Sequence, residues 1–297
     1  MKSQIRSNGG PMPALLVLGA TGAIGRGVVR AALEAGRPVI AVSPDADGLR
    51  DLQGSRAHAD FIPLALSLDE GDATTLGDEL RKLDRPIDGV VAALCTDRER
   101  GRLLDAPAAD LRDALDASVI AHLAFARELL PLLAQGGRAG GYVLIDGPGG
   151  ENPWAGYGHR SVGGAALRML ARVLHDEARP MGVRVQLLAL EFPVRTDANA
   201  KHACDLWPHA DGIGRRVVAM LERKDRAAPE PIVHCRGPCK GESQTSDGDD
   251  PSLTARCFDD ARKLLGSLTR PKSKQPTEST SPSPIQSKED AHEPPRR

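Results

Sequence analysis

The chain has 297 residues, of which 40% are hydrophobic and 27% are charged, a composition typical of a globular protein. Its formal net charge is -1, and Lys and Arg are scattered along the chain, so no positive field favours nucleic acid or an anionic membrane. The N-terminal segment is polar, and no run approaches the ~20 apolar residues that span a bilayer. We therefore expect a cytoplasmic protein with no nucleic-acid or membrane partner.

Short apolar runs alternate with helical patterns along most of the chain. The runs predict strands at 14–18, 38–42, 61–66, 89–94, 141–145, 183–190 and 231–234. The helical patterns between them include 73–83, 108–133, 162–177 and 212–221. Continuous apolar strands alternating with helices are typical of parallel sheets that are covered on both faces. The sequence thus predicts a doubly wound parallel α/β sheet, a Rossmann fold, in a single domain over residues 14–235.

The segments outside this domain have a different composition. Residues 1–13 are predicted to be a flexible N-terminus, and 236–250 have the Gly, Ser, Asp and Lys content of a linker. Residues 251–268 place apolar side chains on one helical stripe, which predicts an amphipathic helix. Residues 269–297 are rich in Pro, Ser, Lys, Glu and Thr and are predicted to be disordered. The helix and tail are candidates for binding a protein partner.

The most informative motif lies between the first strand and the first helix. Its sequence is Gly19-Ala20-Thr21-Gly22-Ala23-Ile24-Gly25. Glycines here permit a tight reversal and a close approach of the backbone to a diphosphate, whose oxygens the N–H groups of the first helical turn bind. The motif predicts a dinucleotide site formed by Gly19, Thr21, Gly22, Ala23, Ile24 and Gly25. The alternative is a tight turn without a ligand.

The end of the second strand indicates which dinucleotide is bound. NAD binders usually carry an acidic residue there that bonds the adenosine ribose, whereas this chain has Ser43. A neutral hydroxyl does not repel a 2'-phosphate, and Arg26 supplies positive charge nearby. We therefore expect NADP or NAD, with NADP favoured. In the alternative, Ser43 only caps the next turn and Arg26 is solvated.

Several motifs together resemble the short-chain dehydrogenase/reductase family over residues 15–234. They are the glycine turn, Ser67-Leu68, Ile87-Asp88-Gly89-Val90-Val91, and the stretch from Val183-Arg184-Val185 to Pro193-Val194-Arg195-Thr196. The resemblance implies an oxidoreductase that acts with a nicotinamide cofactor on a carbonyl or alcohol group of a small molecule. It also implies that Leu68 lies near the adenine and Thr196 near the nicotinamide or diphosphate. A homodimer through helices 108–133 and 162–177 is a further implication.

The residues that perform the family's chemistry are not conserved in this chain. Members of the family use a Tyr-x-x-x-Lys pair, an upstream serine and an asparagine on the long helix. The corresponding positions hold Arg160, Gly164, Gly147 and Ser118. None of the four residues matches the family pattern.

Other residues are candidates for the missing roles. Tyr157 lies three residues before Arg160, and Ser118 offers a hydroxyl at the asparagine position. His159 is a candidate acid near neutral pH, with Asp146 at a strand end to orient it. The sequence leaves two hypotheses open, an oxidoreductase with a non-standard active site and a catalytically silent nicotinamide-binding sensor or interaction partner.

Cysteine and histidine residues near the end of the sheet raise the question of a metal. His234, Cys235 and Cys239, with His202 and Cys204 upstream, offer ligands that zinc accepts. A Cys-x3-Cys pair lacks the spacing of known zinc motifs. We therefore expect no metal site.

Overall fold

The computed structural model describes residues 12–54, 60–94, 101–136, 140–153, 156–196, 199–222 and 230–239. The amphipathic helix predicted at 251–268, the tail at 269–297, all but four residues of the linker predicted at 236–250, and most of the N-terminal segment lie outside these residues.

Seven parallel strands form one sheet, as predicted. They are β1 (Ala14–Leu18), β2 (Val39–Ser43), β3 (Phe61–Ala65), β4 (Ile87–Ala92), β5 (Gly141–Asp146), β6 (Arg184–Leu190) and β7 (Ile232–Cys235). Their order is β3-β2-β1-β4-β5-β6-β7, with every neighbouring pair parallel. The direction of winding reverses between β1 and β4, which opens a crevice at the carboxyl ends of these strands.

Helices cover both faces of the sheet. They are α1 (Ala23–Glu34), α2 (Ala46–Gly54), α3 (Ala73–Lys82), α4 (Ala108–Leu115), α5 (Ala121–Gln135), α6 (Gly158–Ala178) and α7 (Ala210–Glu222). Alternate residues of each strand pack into two separate cores, one on each face of the sheet. Leu16 and Leu18 of β1 pack with α3, α5 and α6, whereas Leu15 and Val17 pack with α1 and α7. This two-layered burial explains why the strands are apolar at nearly every position.

Helix α6 and strand β4 begin earlier than the sequence predicts. Helix α6 begins at Gly158 rather than at 162, because the Tyr157 carbonyl already accepts the Ser161 N–H at 3.0 Å. His159 therefore lies on a helix rather than in a loop. Strand β4 begins at Ile87, two residues before the predicted start.

The helix predicted over 108–133 is interrupted in its middle. Asp116–Ile120 forms a π-helical turn between α4 and α5. Ser118 lies in this turn, and its hydroxyl donates to the Ala114 carbonyl at 2.5 Å. Such side-chain hydrogen bonds compete with the backbone ladder, and π-turns are frequent at functional sites.

The stretch Ala108–Gln135 is the one helical run among the described residues that is long and apolar enough to cross a membrane by composition. Phe125, Leu129 and Leu133 of this run are buried in the core beside α3 and the sheet. Its apolar character is therefore explained by packing within the domain.

Candidate functional site

The glycine turn is fixed by two close backbone contacts. Gly19 has φ +76°, and a Cβ there would lie 2.4 Å from the Ala93 carbonyl oxygen. A Cβ on Gly25 would lie 2.0 Å from the Gly19 carbonyl oxygen. Both contacts exclude any side chain, so the turn lies directly on the end of β4 and on the first turn of α1.

The exposed part of this turn suits an anionic ligand. Gly22 and Ala23 are exposed at the start of α1, and no described side chain caps that helix. The first N–H groups of a helix point along its axis and carry the positive end of its dipole. Ala23, Ile24 and their neighbours thus present backbone donors at the crevice where the predicted diphosphate would bind.

Ser43 joins the end of β2 to the glycine turn. Its hydroxyl lies 2.7 Å from the Thr21 hydroxyl and accepts the Asp45 N–H at 3.2 Å. Asp45 in turn accepts the Gly48 N–H at 2.9 Å and so caps α2. Arg26 is half-buried and donates to the Thr21 carbonyl at 2.8 Å. The structure therefore contains the turn-capping bond of Ser43, and Thr21 contacts both Ser43 and Arg26.

Two further predicted cofactor residues lie at the same edge of the sheet. Leu68 follows β3 and is half-buried against the core. Thr196 follows β6, and its N–H donates to the Asn199 side chain at 2.8 Å. Asn199 also donates to the Val194 carbonyl at 2.9 Å.

Asp146 is held in a buried ion pair at the carboxyl end of β5. Arg168 of α6 donates from Nε to the Asp146 carboxylate at 2.7 Å, and each side chain is 8% exposed. Burial raises the pKa of Asp146, and the Arg168 guanidinium opposes that increase. Nothing in the sequence indicated this pair, because Arg168 is remote from Asp146 in the chain and resembles a solvated helix residue. The role of Asp146 toward His159 stays a prediction.

The loop after β5 lies directly on α6, beside the position of the family's lysine. A Cβ on Gly164 would lie 3.0 Å from both Asp146 Oδ1 and Gly150 Cα. A Cβ on Gly150 would lie 2.8 Å from Arg168 Nε. Glycine at both positions lets the loop and the helix touch, so a lysine at 164 would require the loop to move.

The other candidate catalytic residues surround the start of α6. Tyr157 immediately precedes the helix and is buried, and the Arg160 guanidinium carbon lies 6.0 Å from its ring centre. His159 is half-buried in the first helical turn. Ser118 Oγ lies 3.1 Å from the position that a Cβ on Gly163 would take. The structure thus brings Ser118 and Asp146 to adjacent glycines of α6.

His122 is a buried titratable residue that the sequence analysis missed. It lies in the first turn of α5, is 0% exposed, and neither ring nitrogen has a hydrogen-bond partner of normal geometry among the described residues. Burial lowers the pKa of His122 to about 4, and the backbone of Leu94, two residues after β4, opposes that shift. The imidazole is therefore neutral at pH 7. Because its neighbours in the sequence are apolar, nothing in the sequence indicated that His122 is a buried titratable residue.

Three ligand-type side chains meet near the carboxyl ends of β6 and β7. His234 Nδ1 lies 3.0 Å from the Glu191 carboxylate and 3.8 Å from that of Glu151. Glu151 also accepts from Arg168 at 3.2 Å, and Glu191 accepts from Arg236 at 3.0 Å. Each carboxylate thus already has a cationic partner, and we interpret the group as an ion-pair network.

Sequence comparison identifies one matching family. The sequence model described as enoyl-(acyl carrier protein) reductase matches residues 19–223, which include the glycine turn, Ser43 and α6. No curated protein matches the chain by sequence.

Solved structures share the fold at low sequence identity. A short-chain dehydrogenase from Streptomyces avermitilis is 21% identical with a TM-score of 0.65, covering 87% of this chain and 97% of its own. A short-chain oxidoreductase from Pseudomonas aeruginosa, described as having an atypical catalytic centre, is 17% identical with a TM-score of 0.65, covering 79% and 98%. ElxO with NADP bound is 13% identical with a TM-score of 0.67, covering 76% and 97%. These structures support the fold.

Removing one member of the Asp146–Arg168 pair should destabilise the protein strongly. Arg168→Met leaves a buried carboxylate without its cation, and we expect the free energy of unfolding to fall by about 3–5 kcal/mol. Urea denaturation measures this change. The control is Arg172→Met, an exposed arginine on the same helix, for which a change within ~0.5 kcal/mol is expected. Equal effects of the two substitutions would contradict the buried pair. Asp146→Asn combined with Arg168→Met should recover part of the loss.

His122 should make stability depend on pH. Its folded pKa of about 4 lies below the ordinary value of 6.5, so protonation favours the unfolded chain. Its contribution is complete above pH 6.5 and is lost as the pH falls to 4, by up to about 3 kcal/mol. In His122→Leu the decline over this range should be smaller by that amount, as measured by urea denaturation at several pH values. His202→Leu, at an exposed position, is the control and should leave the decline unchanged.

Proposed function

Because the chain belongs to the short-chain dehydrogenase/reductase family, we propose that it binds NADP(H) or NAD(H) and acts as an oxidoreductase with a non-standard active site. Its substrate class is a small molecule with a carbonyl or alcohol group. The reaction takes place in the crevice at the carboxyl ends of β4 and β5. We also propose a cytoplasmic protein, with a homodimer through α5 and α6 and a protein partner for the C-terminal segments as further parts of this hypothesis.

The glycine turn is the observation that supports cofactor binding. A Cβ at Gly19 or Gly25 would collide with a carbonyl oxygen, so these contacts require a bare backbone, and the exposed start of α1 offers N–H donors beside it. Gly19, Thr21, Gly22, Ala23, Ile24 and Gly25 would hold the diphosphate, with Leu68 beside the adenine and Thr196 near the nicotinamide. The bound cofactor supplies hydride transfer.

The preference for NADP rests on charge near β2. Ser43 places a hydroxyl where an acidic side chain would repel a 2'-phosphate, and Arg26 lies beside the Thr21 carbonyl. Asp45, two residues after Ser43, is engaged in capping α2. ElxO, which shares the fold, binds NADP in its structure.

The chain's own residues must move a proton at the substrate oxygen. Tyr157 and His159 flank the start of α6 and are the candidate donors, while Ser118 and Asp146 lie along the next turn of that helix. No lysine stands at position 164 to lower the pKa of a tyrosine, so proton transfer is expected to be inefficient. Loss of one general acid slows such reactions ~10²–10⁴-fold. We therefore expect slow turnover.

A second candidate function is cofactor binding without turnover. The observation that favours it is the close packing of Gly150 on Gly164 above the Asp146–Arg168 pair, which fills space that a lysine at 164 would need. In that case the protein senses whether the nicotinamide is oxidised or reduced, or presents the bound cofactor to a partner protein.

A titration followed by a substrate panel distinguishes the two candidates. Purified protein is titrated with NADPH and NADH while nicotinamide fluorescence is followed, and aldehydes and ketones are then added while the absorbance of the reduced cofactor is monitored. We expect tighter binding of NADPH and slow oxidation with at least one carbonyl compound. Binding without oxidation across the panel would support the sensor. Absence of binding by both cofactors would exclude both candidates.

Gly22→Asp tests the placement of the diphosphate. A carboxylate at the start of α1 would oppose the negative diphosphate, and we expect the affinity for NADPH to fall at least ~100-fold. The matched control is Gly71→Asp, which introduces the same charge at a glycine with open space around it. Unchanged affinity in the Gly22 variant, with both proteins folded by circular dichroism, would refute the placement.

A further inference from the structure

Two cysteine thiols meet in the segment that follows β7. Cys235 is the last residue of β7 and is 0% exposed, and Cys239 is 4% exposed. Their sulfur atoms lie 3.8 Å apart, and neither forms a disulfide in this structure. The proton-transfer and cofactor roles described above use neither thiol.

The fold itself brings the two sulfurs together. Four residues of extended chain span about 13 Å, whereas these thiols are within van der Waals contact, so the chain reverses at Arg236, Gly237 and Pro238. The Cys235 thiol also lies 3.4 Å from the Gly237 carbonyl oxygen, to which it donates a weak hydrogen bond. The approach therefore depends on the shape of the turn.

Contacts with the loop after β6 anchor the same segment. The Cys235 carbonyl accepts the Glu191 N–H at 3.1 Å, and Arg236 donates from Nε to the Glu191 carboxylate at 3.0 Å. These contacts hold the backbone at the start of the turn before any bond forms, so less conformational entropy is lost when the two thiols are joined.

We propose that Cys235 and Cys239 are a site of reversible oxidation and form an intramolecular disulfide. A disulfide requires an S–S distance of about 2.05 Å, so the sulfurs must approach by roughly 1.8 Å from their present separation. Rotation of the two side chains and a small shift of the turn supply this movement. The proposal does not depend on the function of the glycine turn.

The oxidant is a low-molecular-weight disulfide such as oxidised glutathione. The Cys239 thiolate attacks one sulfur of oxidised glutathione, which breaks its S–S bond, releases one glutathione thiolate and forms a mixed disulfide. The Cys235 thiol loses its proton, and its thiolate attacks the Cys239 sulfur and releases the second glutathione. The protein loses two electrons and two protons, and oxidised glutathione gains them.

Peptide mapping tests the proposal on the full chain. The protein is reduced, desalted, incubated with oxidised glutathione, alkylated and digested with trypsin without further reduction. Trypsin cuts after Arg226, Arg236 and Lys240, so the disulfide joins peptide 227–236 to peptide 237–240. Mass spectrometry should detect the joined peptide, and dithiothreitol should separate it again.

Single substitutions provide the controls. Cys239→Ser should abolish the joined peptide, whereas Cys257→Ser, at a cysteine outside the pair, should retain it. Circular dichroism confirms that both variants are folded. If peptides 227–236 and 237–240 instead carry separate glutathione or alkyl groups, or if Cys235 is joined to the peptide of another cysteine, the proposal is wrong.

Discussion

The carbonyl oxygens of Gly19 and Ala93 determine where the glycine turn after β1 lies. The first leaves no room for a side chain on Gly25, and the second leaves none on Gly19. These contacts press the turn after β1 against the end of β4 and against α1, so that the start of the helix lies at the point where the winding of the sheet reverses. The Thr21–Ser43 contact then ties the end of β2 to the same turn. The crevice at the carboxyl ends of β1 and β4 follows from these contacts.

On the other side of the crevice, charged side chains determine how the neighbouring segments are arranged. Around the end of β5, Asp146 and Arg168 form a buried ion pair, and glycines let a loop lie on α6. A buried pair of this kind is costly to break and contributes little net stability relative to apolar packing, so it serves chiefly to fix the arrangement of its neighbours. Arg168 extends the pair to Glu151, and through His234 and Glu191 the network reaches β7, the strand that ends at Cys235. The carboxyl ends of β5 and β7 are thus linked electrostatically.

The two sides of the crevice lead to different conclusions about function. Cofactor binding as proposed needs backbone donors and bare glycines, and the turn after β1 offers both. Proton transfer needs a positioned acid whose pKa is adjusted to the task, and the lysine that would adjust a tyrosine is absent. The π-helical turn that carries Ser118 departs locally from α-helical geometry. Similarity of fold therefore supports the proposed cofactor binding more strongly than it supports the proposed proton transfer.

The sequence by itself determined the parallel sheet, its single domain and the glycine turn, because hydrophobic periodicity and glycine spacing are local properties that the chain carries at each element. Family membership followed from the same local motifs. Only the tertiary structure decided that Asp146 pairs with Arg168, that His122 is buried, and that Cys235 meets Cys239, since each depends on where separate segments pack or turn in space. The start of α6 at Gly158 and the π-turn at Ser118 were also decided there, because single hydrogen bonds, made by the Tyr157 carbonyl and the Ser118 hydroxyl, outweighed the local pattern.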